Sequence, residues 1–368
     1  MMLFLADGLL LLGLLLAPLL YGSVHFLSLL ALALLSLVSF NLIFIVRPWA
    51  LKHFFSSSWA WLGLFILIIA LSQIIPCSPE LIQRISPALF DFYLKYRAGP
   101  AMTLSIYPWD TIVAVIQYLT YGFFFVSILM RLQRIPSDCL EEVHQISWNK
   151  SEYLKLGCLT GVLSILFHSI YDFNLHIPAN GIYFVVLLAL GIGANAKAYD
   201  HMFFRRMVEF IIMFGFLISL FAIIQKFSYN GHIFWFGMKA QAPVGPYLNY
   251  DHFAGFMELC SALAVSMVVA GVFHTSFFHR RGFVEKLFWF STSEANKTLR
   301  YLAMAAVMIS TIFISTSRGG IMSFLLSQIF FFSVVLWAAG RARKQGRFIG
   351  IVTTIILFVS VMVVWLGP

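Results

Sequence analysis

Long unbroken apolar runs leave this chain few ways to fold. Eleven of them, at roughly 3–20, 24–46, 58–75, 111–130, 154–170, 180–196, 207–226, 253–273, 300–315, 320–338 and 348–366, approach or exceed the length needed to cross a hydrocarbon core of about 30 Å. Those starting at 154 and 300 are among the shortest. The segments between them cannot coat a soluble domain, because 61% of the 368 residues are hydrophobic and only 11% are charged. The expected fold class is an all-α polytopic membrane protein of about eleven transmembrane helices.

A net charge of +9 invites a nucleic-acid reading, but the basic residues sort by loop parity and do not gather on one soluble face. With the N-terminus cytoplasmic, eighteen of the twenty-four Lys and Arg residues fall inside, among them Arg47, Lys52, Arg131, Arg134, Lys197, Arg205, Arg206, Arg280 and Arg341. Arg84, Lys95, Arg97, Lys226, Lys239 and Arg318 fall on the outer side or its edge. Removing any one helix would scramble every later loop, so this asymmetry supports the count independently. It places the C-terminus outside and makes membrane lipids, not nucleic acid, the expected surroundings. Cys77, Cys139, Cys158 and Cys260 lack pair spacing, so neither a disulfide framework nor a zinc site is expected. The first run has no basic leader and is followed by further spans, which reads as a retained helix or signal anchor.

The layout gives N-terminal helices at 1–136 with an outer loop at 76–110; setting a helical hairpin at 137–197 apart from a membrane core at 198–368 is what the family resemblance below implies. The 76–110 loop mixes prolines, aromatics and a few charges, as a short amphipathic piece at the interface would. A second outer loop spans 227–252. No Walker sequence, dinucleotide fingerprint or aspartate-rich metal-diphosphate motif is present, which argues against an ATP-driven pump or a cytosolic nucleotide-sugar transferase. No cofactor or metal is expected.

Chemistry concentrates in three polar stretches at the outer ends of apolar runs. Arg318, in Ser317-Arg318-Gly319-Gly320, is a permanent cation with a planar fork of donors suited to a phosphate or diphosphate. Gly319 and Gly320 allow close backbone approach and can leave amides free at a helix start, which also favours an anion. The alternative is a tight turn whose arginine snorkels to headgroups. The second stretch carries Asn249, Asp251, His252 and Glu258. Asp251 and Glu258 share a helix face with Gly255 between them, and Asn249 and His252 can donate to sugar hydroxyls or phosphate. Here the alternative is an Asx-type cap at Asn249 or Asp251. In the third, His168 and Asp172 are four apart and can pair on one helix face, fixing an imidazole tautomer as acid-base work requires; Asn174 follows. A hairpin held by Asp172 and Asn174 bonds to backbone is the structural alternative.

Together these stretches resemble the O-antigen ligase and polymerase superfamily, membrane proteins that move a glycan from a polyprenyl-diphosphate carrier to an acceptor on the periplasmic side. The resemblance rests on Gly245, Tyr247, Asn249, His252, Phe253, Ala254, Gly255 and Glu258; on Ser317, Arg318, Gly319 and Gly320; and on His168, Ser169, Asp172, Phe173, Asn174, Leu175, Ile177, Pro178, Ala179 and Asn180. It implies a bacterial inner-membrane protein of cell-surface polysaccharide assembly, a polyprenyl-diphosphate-linked glycan donor and a lipid or glycan acceptor. It further implies Arg318 and His252 as catalytic residues, with Asn249, Glu258, Gly319, Gly320, His168, Asp172 and Asn174 binding substrate.

The chain departs from the family pattern in three ways. Tyr250 and Asp251 stand where the family has Arg and Asn, and the Asp-Phe-Asn block precedes the other motifs where relatives carry it near the C-terminus. The family's large periplasmic loop, with its histidine, has no counterpart before Pro368. Two other classes stay open: a lipid-linked glycan transporter, which would show internal repeats and mid-membrane charges, and a truncated non-catalytic relative.

Overall fold

The computed structural model describes residues 1–55, 58–96, 102–133, 150–194, 199–239, 244–274 and 288–339. These fold into α1 (Met2–Leu19), α2 (Phe26–Val46), α3 (Pro48–Phe55), α4 (Ser58–Ser72), α5 (Pro79–Ile85), α6 (Pro87–Tyr96), α7 (Pro108–Leu132), α8 (Lys150–His168), α9 (Pro178–Gly193), α10 (His201–Phe227), α11 (Tyr250–His274), α12 (Ser293–Ile314) and α13 (Arg318–Ala339), with no β-strand among the described residues. Seven of them (α1, α2, α7, α10, α11, α12 and α13) are long and apolar enough to cross a membrane, the architecture of a multi-pass membrane protein. Residues Ala60–Ser72 of α4, and α9, are apolar but shorter. Each of the first ten apolar runs lies on a helix. The eleventh, at 348–366, lies outside the described residues, as do the C-terminus, Cys139, most of the inner loop at 131–153, half of that at 274–299, and the ends of the 137–197 hairpin.

The bundle is organised on α11, which packs against α8, α9, α10, α12 and α13. Its apolar window is 67% buried, more than that of any other long helix, so it faces protein on most sides. Small residues on α8 make the closest of these contacts possible. A Cβ on Gly157 would meet Ser266 Oγ at 2.3 Å, and one on Gly161 would lie 3.3 Å from the Leu259 carbonyl. The hairpin of α8 and α9 is thereby wedged into the molecule, α8 lying on α11 and α13 while α9 lies on α7 and α1.

At one end of the bundle, Arg131 on α7 reaches Asp7 on α1 (Nε to Oδ1, 2.8 Å) and Asp200 ahead of α10 (Nη1 to Oδ2, 2.8 Å). Asp200 also caps α10, its Oδ1 accepting from Phe203 N at 3.0 Å. Beside it, Arg47 at the end of α2 donates to the carbonyls of Arg131 and Gln133, at 2.9 and 2.7 Å, near the C-terminus of α7. The tip of the α8–α9 hairpin and the starts of α11 and α13 lie at the other end. There the described part of the 76–110 segment forms two short helices, α5 and α6. Ser86 and Pro87 break it, and the buried Tyr93 hydroxyl holds it by donating to the Thr103 carbonyl at 3.0 Å.

Candidate functional site

Helix starts and a hairpin tip build the site, so its polar groups come from chain ends that need partners in any case. α11 starts behind Asn249, whose Oδ1 accepts from Asp251 N at 2.8 Å, an Asx cap as the structural alternative anticipated. α13 starts behind Ser317, whose hydroxyl accepts from Gly320 N at 3.0 Å. That bond leaves the first-turn amides of Arg318 and Gly319 without an intrahelical acceptor. Thr316, just before this cap, holds a left-handed φ of 60°, a costly conformation for a β-branched residue and one that tends to mark functional turns.

The hairpin tip is pinned on both sides. Tyr121 and Gln117 of α7 donate to the carbonyls of Leu175 and His176, at 3.1 and 2.9 Å. On the other side the buried Asn180 amide donates to Asn174 Oδ1 at 3.0 Å and to the His252 carbonyl at 2.9 Å, and its oxygen accepts from the Tyr247 hydroxyl at 3.2 Å. Gly255 makes this fit possible: a Cβ there would meet Asn174 Oδ1 at 2.6 Å. Gly255 thus receives the tip of the hairpin through a loop side chain.

The expected pairing of His168 with Asp172 is not what these contacts give. α8 ends at His168, so Asp172 lies beyond it in a turn and the i, i+4 face relation no longer holds. His168 faces α11 instead, its Nδ1 2.7 Å from Oε1 of Glu258, and both side chains are buried, 1% and 0% exposed. The other carboxylate oxygen of Glu258 accepts from the Ser164 hydroxyl at 2.6 Å, one turn before His168. Asp172 lies 3.5 Å from His252 Nε2 and accepts from Asn174 Nδ2 at 3.2 Å. Two crossed carboxylate–imidazole pairs therefore join the hairpin to α11.

Between these elements opens a cavity of about 500 Å³, lined by His168, Tyr171, Asp172, Tyr250, Asp251, Thr316, Arg318 and Gly319. All three polar stretches contribute to its wall. Arg318 is exposed there and makes no ion pair among the described residues, whereas Glu258 lies behind the wall, in contact with His168. Asn249, His252, Asn174 and Gly320 also lie behind it, as cap, strut or packing residues. Tyr171, Thr316 and Ser164 were not singled out from the sequence. Ser164 had one available signal, its position one turn before His168 in a mostly apolar run. Among the described residues no cluster of His, Cys, Asp or Glu is arranged to hold a metal ion. No protein-family model matches the chain, and searches of curated proteins and of solved structures return no significant match.

Proposed function

We propose that this chain is an eleven-span inner-membrane protein, N-terminus cytoplasmic and C-terminus periplasmic, that transfers a glycan from a polyprenyl-diphosphate carrier to an acceptor hydroxyl at the periplasmic face. The observation that carries the reading is the meeting of three sequence-distant stretches, around residues 168–180, 244–258 and 315–320, on one cavity at one end of the bundle. That end is the outer one by the parity of the basic loops.

In this reading Arg318 holds the diphosphate. It is exposed in the cavity wall at the start of α13, where the helix dipole and the free first-turn amides add attraction for an anion. Because diphosphate is already a good leaving group, most of the catalytic work is charge stabilisation and positioning. Asp172 and Asp251 on the same wall suit the acceptor side, where carboxylates can accept from sugar hydroxyls. The chain position of the hairpin does not count against this reading, since a helix pair reaches the same neighbours from either side of α11 in sequence.

Substituting Arg318 in cells that depend on this chain for surface glycan tests the reading. Arg318→Ala abolishes the polymer, and Arg318→Lys, which keeps the charge but loses the fork, leaves it strongly reduced. Wild-type polymer in Arg318→Ala cells would sink the assignment.

A further inference from the structure

We infer that a second cavity, at the Arg131 end of the bundle, binds the phosphodiester group of an anionic phospholipid between Arg205 on α10 and Lys297 on α12. Such a site holds whether or not the chain transfers glycan. The cavity encloses about 300 Å³ where the starts of α8, α10 and α12 meet the end of α11. Leu154, Phe204, Met267 and Ala270 make one part of its lining apolar, and Arg205, Lys297, Tyr301 and Glu294 make another part polar. A volume at the low end for ligand sites takes a headgroup and leaves the acyl chains outside. Apolar surface for those chains adjoins it: Met202, Leu299 and Leu302, each next in sequence to a lining residue, are exposed on the membrane-length helices α10 and α12.

The phosphate contacts come from one guanidinium and one ammonium on different helices. Arg205 spends its Nε on Oε1 of Glu209, at 2.8 Å and one turn along α10, and its two terminal nitrogens have no hydrogen-bond partner among the described residues. The Tyr301 hydroxyl donates to the same Glu209 oxygen at 3.3 Å, so α12 braces the carboxylate that braces the arginine. A fork held from behind with both NH₂ groups free is suited to bidentate phosphate binding, whereas an arginine that only snorkels to headgroups needs no tie to a second helix. Lys297 is exposed and makes no ion pair among the described residues. Its helix is set in place beside the cavity, because a Cβ on Gly271 of α11 would meet Thr298 Oγ1 at 2.3 Å.

Charge decides which phosphate fits. Near the starts of α10 and α12, Arg205, Arg206, Lys297 and Arg300 stand against Glu209 and Glu294, an excess of cations that attracts an anionic headgroup and repels the ammonium of a zwitterionic one. Glu294 lies on the lining itself, where it opposes the second charge of a free phosphate or phosphomonoester more than it opposes a singly charged phosphodiester.

The test uses the full chain purified in detergent, with bound lipid read by native mass spectrometry during titration with phosphatidylglycerol, phosphatidylethanolamine and phosphatidylcholine of matched acyl chains, and with inorganic phosphate as competitor. The wild type retains one phosphatidylglycerol in preference to the two zwitterionic lipids, and inorganic phosphate does not displace it. Arg205→Gln and Lys297→Gln each weaken retention about 5-fold and together about 30-fold, the effect of one cation each beside an anionic lipid. Arg84→Gln, which removes an exposed cation at the other end of the bundle, leaves retention unchanged. A phosphatidylglycerol with a diazirine on its acyl chain gives a readout that needs no variant, and it labels α10 and α12 of the wild type around Met202, Leu299 and Leu302. Equal retention of all three lipids would overturn the inference, as would labelling confined to other helices or full retention in the double variant. Displacement by inorganic phosphate at the lipid's own concentration would assign the cavity to a soluble anion and overturn it too.

Discussion

At Gly320 a Cβ would lie 2.6 Å from the Cβ of Ala254 and 3.2 Å from Oε1 of Glu258, so even an alanine must push α13 away from α11. Overpacking of this kind costs about 1–3 kcal/mol. Gly320→Ala should therefore melt several degrees lower in detergent, and an unchanged melting temperature would contradict the close approach. Asn180 makes the complementary case through hydrogen bonding. Its buried amide serves Asn174, His252 and Tyr247 at once, so Asn180→Ala strands at least one buried partner at about 1–3 kcal/mol. Hydrogen exchange should report the loss as faster exchange confined to residues 174–180 and the first turn of α11. Uniformly faster exchange across the bundle would assign Asn180 to global stability instead.

Among the elements, α1, α7 and α10 are fastened at their shared end by one guanidinium. Arg131 is only 12% exposed on its side chain and holds two carboxylates at 2.8 Å, so removing it takes one shared guanidinium from both Asp7 and Asp200. Losing one partner of such a half-buried cluster costs about 1–3 kcal/mol, below the figure for fully buried pairs, and Arg131→Ala should lose that much in a denaturant titration. Arg131→Lys should recover only part of it, because an ammonium cannot span both carboxylates as the fork does. At this scale the sequence was readable where one dimension suffices. Apolar length marked the long helices, and Asn249 ahead of Tyr250 announced the α11 cap. The site was readable as a set of residues but not as a set of pairs. His168 and Asp172 looked like i, i+4 partners only while α8 was assumed to continue, and the end of the helix at His168 turned each toward a different residue of α11. The role of Arg131 was equally hidden, since loop parity sees its charge but not Asp7 or Asp200, which are distant in sequence.

For the molecule as a whole, the proposed orientation puts the cavity and the Arg131 clamp on opposite sides of the membrane. A single cysteine introduced at Tyr171, which is 71% exposed on the hairpin tip, should react with a membrane-impermeant maleimide in intact cells from which the outer membrane has been stripped. One placed at Arg205, near the clamp end of α10, should react only after the inner membrane is opened. The reverse pattern would invert the topology and place the cavity in the cytoplasm. Glycan transfer in the cavity closed by His168, Asp172, Asp251 and Arg318, as proposed, can be measured with purified wild-type and Arg318→Ala chains in proteoliposomes given lipid-linked glycan and acceptor. The wild type should give a new glycosidic product and free polyprenyl diphosphate, and the variant neither. A donor recovered chemically unchanged, whether left in place or moved to the other leaflet, would contradict it.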